Sequence, residues 1–385
     1  MLGKGKIIMK QYIIISGLNL TSENRGTAAL GYGAFTFLKE KGLMPAHPNV
    51  LTIRYSRSGL KTIIQSKEIN IQGIKVQHTE AEVPIYEKYF FQVFGFLLPF
   101  GALKKLVDNT EYVAAINGGD GFSDIYGTRI FRNRLPDTML AMYKKIPLYI
   151  LPQTLGPFNK KCNKKLASRI LHYATSVYAR DRKFCEELDR MRIKYEVLKD
   201  LSAFMKPEPI DISIDDDSVG INVSGLAYSN AYNSLAGRFE NYPYLITQLI
   251  TAFQSKGVHV YLIPHSYNVK TPAVNDDDFQ ACQTALSVLR NKDNVTFVDR
   301  DLISPQVKYV ISKMKFFVGT RMHANFAAIY TNVPLFGLAY SYKFEGAFRE
   351  NGVYDDNVAM VTDITKEECD SIVNKIINRY LTVCK

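Results

Sequence analysis

Short apolar runs alternate along this chain with stretches whose apolar residues recur every three or four positions. QYIIISG (11–17), VLTIRYS (50–56), YVAAING (112–118), PLYILPQ (147–153) and SVYARD (176–181) have the length and branched aliphatic content of buried strands. Between them, GTAALGYGAFTFLKEKG (26–42), NRLPDTMLAMYKKI (133–146) and NKKLASRILHYAT (163–175) carry helical spacing. After a polar, acidic break at PEPIDISIDDDS (207–218) the alternation restarts. Strands are predicted at 218–225, 258–266, 295–299, 315–320 and 333–341, and helices at 241–257, 276–293, 304–314 and 322–332. Alternating strand and helix implies parallel sheets covered on both faces. The expected architecture is α/β, with two doubly wound Rossmann-like domains facing a cleft. An N-terminal domain over 1–206 precedes a linker at 207–217, a C-terminal domain at 218–365 and a last helix at 366–385.

Length agrees with two domains, since 385 residues exceed what one core usually organises. Charge separates the halves. Residues 1–200 hold 31 Lys and Arg against 17 Asp and Glu, while the remainder is slightly acidic, for +11 overall. A basic half suggests a polyanionic or membrane-surface partner. No nucleic-acid module or basic-aromatic repeat accompanies it, so nucleic acid is not expected. The five scattered cysteines include no CxxC pair, and no HExxH is present, so neither a metal nor a disulfide framework is expected. This usage fits a reducing cytoplasm. The first residues place lysines before an apolar run too short for a signal peptide, and Tyr12–Ser16 reads as a first strand.

Polar clusters fall at the carboxyl ends of predicted strands, where open α/β sheets bind ligands. SGLNLTSENRGTAAL (16–30) leads from a strand through Asn24 into a helix. NGGDGFSDIYG (117–127) offers Asn117, Asp120 and Asp124 around paired glycines, and fits neither the Rossmann nor the P-loop fingerprint. LPQTLGPF (151–158) ends a strand at Gln153, and YARDRKF (178–184) places Arg180 at another strand end. The densest segment is VGTRMHANFAAIYTNVPLFGLAYSYK (318–343), with Arg321, His323 and Lys343: a cationic fork, a titratable imidazole and a second cation. That set suits a bulky anion undergoing proton chemistry.

Taken in order, NGGDGFSD, LPQTLGPF, ARDRKF, LKDLSAF (198–204), IPHS (263–266) and the 318–343 segment resemble the polysaccharide pyruvyl transferases, over about residues 12–350. The first loop reads Asn24-Arg25-Gly26-Thr27 where relatives often carry Gly-Asp, and NGGD stands where GGGD is common. The resemblance implies a GT-B-like fold, phosphoenolpyruvate as donor rather than a cofactor, and Arg321 and His323 as the donor and catalytic site. Arg180, Lys343 and Asn24 are expected to join donor binding, and Asn117, Asp124 and Gln153 to contact a glycan acceptor. His323 suits the proton donor that makes the enol ether electrophilic. The base is expected to be Asp120 or Asp124. A nucleotide-sugar glycosyltransferase would share the fold, but no motif speaks for a nucleoside pocket. A non-enzymatic polyanion-binding protein would leave the ordered motifs unexplained. Finally, YFFQVFGFLLPFGALKK (89–105) is aromatic and uncharged up to Lys104, and Lys160, Lys161, Lys164, Lys165 and Arg169 cluster on or just before one helix. The aromatic segment reads either as a buried or lid-like piece of its own domain or, with the basic cluster, as a membrane-surface face, for which a lipid-linked glycan is a fitting acceptor.

Overall fold

The computed structural model describes residues 11–340 and 348–384. Lys343 therefore lies outside the described residues. The chain forms two compact units: the first holds the chain up to Asn19 and Leu30–Phe204, the second Leu20–Ala29 and the chain from Met205 onward. Placing Leu20–Ala29 in the second unit corrects the expected boundary, and the reason lies in Arg25, described below.

The first unit is built on strands β1 (Tyr12–Ser16), β2 (Asn49–Ser56), β3 (Ile63–Ile71), β4 (Ile74–Pro84), β5 (Thr110–Ala115), β6 (Leu148–Gln153), β7 (Ser176–Ala179) and β8 (Glu196–Val197). Their order is β3-β4-β2-β1-β5-β6-β7-β8, parallel except for β3. Helices α1 (Arg25–Glu40), α2 (Ile85–Phe94), α3 (Ala102–Asp108), α4 (Thr128–Asn133), α5 (Pro136–Lys144), α6 (Lys161–Tyr173) and α7 (Cys185–Arg190) accompany it. One face of the sheet packs Ile14, Val113 and Ile150 against Leu140 of α5 and Ile170 of α6.

The hairpin of β3 and β4 is absent from the sequence reading. In its β4 arm Ile74 and Val76 are buried on one face and Ala81 and Val83 on the other, and Gln72-Gly73 forms the turn with both residues at positive φ. That short alternating signal was the one available, and the solvent-facing half of the hairpin is too polar to read as core.

The second unit carries β9 (Val219–Asn222), β10 (Val260–Leu262), β11 (Val295–Phe297), β12 (Phe316–Gly319), β13 (Leu335–Ala339) and β14 (Val358–Met360), all parallel in the order β11-β10-β9-β12-β13-β14. Its helices are α8 (Gly225–Ser229), α9 (Tyr242–Gln254), α10 (Asp278–Val288), α11 (Ser304–Ser312), α12 (Met322–Ile329) and α13 (Lys366–Val383). Successive strand residues point to opposite faces. Phe316 and Val318 therefore join Leu249, Phe253 and Ile376 on one side, while Phe317 joins Val310, Ile311 and Ala328 on the other.

The acidic stretch 207–217 is a strap on this second unit rather than a free linker. Ile210, Ile212 and Ile214 alternate onto the core beside α11. Glu208 N–H donates to the Pro305 carbonyl, and the Arg300 guanidinium donates to the Asp211 carbonyl. The sequence shows only the outward acidic half of that alternation as conspicuous. Replacing Ile212 with Asn is expected to lower stability by about 1–2 kcal/mol, read as a lower Tm; an unchanged Tm would mean the stretch is a free linker after all.

Candidate functional site

In each sheet the chain order reverses once, between β1 and β5 in the first unit and between β9 and β12 in the second. Such reversals open a crevice at the strand carboxyl ends. In the second unit that crevice is organised by one carboxylate. Asp278, the first residue of α10, is fully buried. It accepts hydrogen bonds from the backbone N–H of Gly225 (2.8 Å), His265 (3.0 Å) and Ser266 (2.9 Å), and from the Asn222 side-chain amide (3.3 Å). Arg321 completes the set, with Nη2 at 2.7 Å and Nε at 3.1 Å from Asp278 Oδ1. Asn222 Oδ1 in turn accepts the Arg321 backbone N–H at 2.8 Å. One carboxylate thus ties the ends of β9, β10 and β12 together.

Arg321 was expected as an open fork for an anion. Instead Nε and Nη2 are engaged by Asp278, and Nη2 also reaches Asp276. A buried guanidinium requires such counter-charge. Burial works against its proton, but Asp278, Tyr340 and Asp276 hold the Arg321 pKa well above its ordinary value. Arg321 is a permanent cation that positions the site.

Two histidines stand beside it. His323 begins α12, half-buried, with its ring edge-on to Phe326. Gly26 lies against this imidazole so closely that a Cβ there would sit 2.6 Å from the ring. His265 follows β10 and is buried. Burial lowers its pKa well below the ordinary value, and the positive charges of His323, Arg321 and Arg25 push the same way. His265 is therefore a neutral imidazole at neutral pH.

Arg25 explains why Leu20–Ala29 belongs to this unit. Its guanidinium donates to the carbonyls of Leu302 (2.6 Å), Ser22 (3.0 Å) and Glu23 (3.1 Å), pairs with Asp301 at 3.0 Å and lies over the Tyr267 ring. Its backbone N–H donates to the His265 carbonyl at 3.0 Å, and its carbonyl accepts from Ser304. Asn24, expected to bind donor, is exposed and uses its side-chain oxygen to cap α1 at the N–H of Gly26 (2.9 Å) and Thr27 (3.3 Å).

In the first unit, Asn117 sits at the β1–β5 reversal with positive φ, buried, and neither atom of its side-chain amide has a hydrogen-bond partner among the described residues. Gln153 is buried at the end of β6; its Nε2 donates to the Ala115 and Leu151 carbonyls, leaving Oε1 without a partner among the described residues. Asp120 is half-buried, accepts from Tyr126 Oη at 2.7 Å and lies 3.8 Å from Arg134. Asp124 is different in kind. It accepts from the backbone N–H of Asn159 and Lys160 and from the side chains of Asn159 and Asn163. Burial raises its pKa, but these four bonds outweigh that and leave it below the ordinary carboxylate value. Its four accepted bonds fix the approach to α6. Arg180 is likewise closed, with Nε on Thr154, Nη1 on Asp200 at 2.8 Å, and Asp181 nearby. Burial opposes its charge, and Asp200 and Asp181 restore it, so its pKa lies above the ordinary value. Arg180, expected to bind donor, forms an internal ion pair with Asp200.

The sequence pattern of the polysaccharide pyruvyl transferases matches residues 24–342, which takes in both strand-end clusters. The chain belongs to the polysaccharide pyruvyl transferase family. A curated relative, the amylovoran biosynthesis protein AmsJ of Erwinia amylovora, is 20% identical over 281 residues; the match spans 69% of this chain and 65% of that relative's length. The fold resembles the UDP-GlcNAc 2-epimerase of Neisseria meningitidis, with 11% identity, a TM-score of 0.51 and coverage of 97% of this chain and 93% of that one. It also resembles HepE of Anabaena, solved with UDP and glucose, with 13% identity, a TM-score of 0.50 and coverage of 98% and 92%. These likenesses establish two Rossmann-like domains of the GT-B class in this pyruvyl transferase family member.

Sequence reasoning missed Asp278, and treated His265 only as part of a motif. Arg321, His265 and Asp124 each carry a testable consequence. Arg321→Ala leaves Asp278 buried without its cation and is expected to cost about 3–5 kcal/mol, read by chemical denaturation; a loss confined to activity would restore Arg321 as an open clamp. His265 has a depressed folded pKa, so its contribution to stability is full above the unfolded value of 6.5 and is lost as pH falls below it. Melting between pH 7 and 5 should therefore decline less steeply in His265→Gln than in the parent; identical slopes would contradict a buried neutral imidazole. Asp124 contributes above its ordinary pKa of 3.8 and loses that contribution as pH falls through its lowered folded value. Asp124→Asn should flatten the acid limb of the same profile, and an unaltered limb would contradict the capping role.

Proposed function

We propose that this protein transfers the pyruvyl group of phosphoenolpyruvate to a sugar of a polysaccharide or its lipid-linked precursor, closing a cyclic ketal and releasing phosphate. The observation that supports this most is a half-buried His323 at the start of α12 and a buried, neutral His265 after β10, the charge of the first acting on the second, in a family named for pyruvyl transfer.

The chemistry balances as follows. His323 gives a proton to the methylene carbon of the enol phosphate, which becomes a methyl group and leaves the central carbon electrophilic. One sugar hydroxyl adds there and releases its proton to a base. The second hydroxyl then takes the place of phosphate on the same carbon, and its proton leaves with the phosphate. Two C–O bonds form, the C–O bond to phosphate breaks, and no redox partner is needed. A proton donor in this role contributes about 100- to 10,000-fold in rate.

Arg321 acts here as a positioning residue, since its fork is filled. Lys343, four residues after β13 ends at Ala339, is the cation we assign to the donor's anionic groups. Asp120 is the base of choice, because Asp124 has no free lone pair to offer. Asn117 and Gln153 are assigned to the acceptor, each with an unmatched buried amide atom.

Incubation of candidate glycans with phosphoenolpyruvate, followed by mass spectrometry and phosphate release, tests the reading. His323→Ala should lose at least about 100-fold in turnover with an unchanged Tm, and Lys343→Ala should raise KM for phosphoenolpyruvate more than for the glycan. Near-normal phosphate release by His323→Ala would remove it from the mechanism, and transfer from a nucleotide sugar instead would overturn the reading as a whole.

A further inference from the structure

The first unit carries a feature that pyruvyl transfer does not use. Helix α2 turns Glu87 and Phe91 inward, where the Glu87 carboxylate accepts the N–H groups of Ala102 and Leu103. Its other side presents Tyr86, Tyr89, Val93 and Phe94 to solvent, and Phe96 and Phe100 continue that surface through the following turn. Val93 is 74% exposed and Phe100 92% exposed. Phe90, Phe94 and Phe96 stack into one aromatic cluster, with centroids 4.7 to 6.1 Å apart. A contiguous apolar surface of this kind marks an interaction site.

Beside it opens a cavity of about 680 Å³ whose lining includes Arg57, Lys88, Arg129 and Arg132, and no carboxylate. None of these four cations forms an ion pair among the described residues. Burial lowers the Lys88 pKa, with Asp137 acting in the opposite direction. Tyr89 of α2 and Leu166 of α6 line the same cavity, so the aromatic helix and the lysine-rich helix share a face. Exposed Lys161, Lys165 and Arg169 on α6 enlarge the positive field.

We propose that this face docks on an anionic lipid bilayer, with the α2 aromatics entering the headgroup region and the cation-lined cavity receiving a lipid phosphate. Charge complementarity selects this occupant. A second copy of the chain meeting the same surface two-fold would bring Arg57, Arg129 and Arg132 against their like charges. A bilayer instead supplies apolar depth and phosphate together. No helix among the described residues is long and apolar enough to cross a membrane, so the mode is interfacial. The proposal stands independently of the transfer chemistry.

Co-sedimentation of the full chain with phosphatidylcholine vesicles, with and without an equal share of phosphatidylglycerol, tests it. The parent should bind the anionic vesicles about tenfold or more tightly than the neutral ones. Phe94→Ser with Phe100→Ser, and separately Arg129→Glu with Arg132→Glu, should each weaken that binding about tenfold. All four positions are exposed, and thermal melting confirms the fold. Because the chain contains no tryptophan, Phe100→Trp gives a reading that does not depend on loss. Its emission should shift to the blue and be quenched by brominated lipid when anionic vesicles are added. Absence of vesicle binding by the parent, no shift at position 100, or a soluble dimer dissociated by the Phe94 and Phe100 changes without vesicle binding would each overturn the proposal.

Discussion

A carboxylate taken fully out of water has to be met by hydrogen-bond donors and counter-charge, and Asp278 is met on every side. Three of its donors are backbone N–H groups from two different strand-end loops, and the rest come from Asn222 and Arg321. Because these partners lie far apart in sequence, the carboxylate fixes where β9, β10 and β12 end relative to one another. Their ends carry His265 and His323. The positions of both histidines therefore rest on one buried ion pair together with the Arg25 segment behind them. Gly26 is small because His323 occupies the space a side chain would take.

The same economy governs the first unit, where carboxylates that looked available for chemistry are consumed by structure. Asp124 has four donors, and Asp200 holds Arg180 while capping the turn at Ser202. What remains unmatched among the described residues is instructive: the amide of Asn117 and one oxygen of Gln153. Buried polar atoms without partners are uncommon in folded proteins. Three of them, on Asn117 and Gln153, lie at the ends of β5 and β6.

Much of the fold was legible because buried parallel strands are nearly continuous apolar runs bounded by polar loops. Tyr12–Ser16, Phe316–Gly319 and Leu335–Ala339 stand where such runs predict them. The candidate site was legible only in part. Arg321 and His323 are conspicuous by spacing, yet whether an arginine is open or paired depends on residues far away in sequence. The Asp276-Asp277-Asp278 run shows the difficulty. It reads as an acidic first helical turn, but the three residues do separate jobs: Asp276 meets Arg321, Asp277 caps α10 at Gln280, and Asp278 turns inward. Nothing local distinguishes them. Likewise Asn24 and the first turn of α1 follow β1 in sequence, yet belong to the second unit, where Arg25 contacts Leu302, Asp301 and His265.

Amide hydrogen exchange on the parent and on Asp278→Asn tests the central claim most directly. If one carboxylate organises the strand ends, the N–H groups of Gly225, His265 and Ser266 lose protection together in the variant, although they lie in two separate loops. Protection that changes only around position 278, with Gly225 and His265 unaltered, would show that the strand ends hold their places without it.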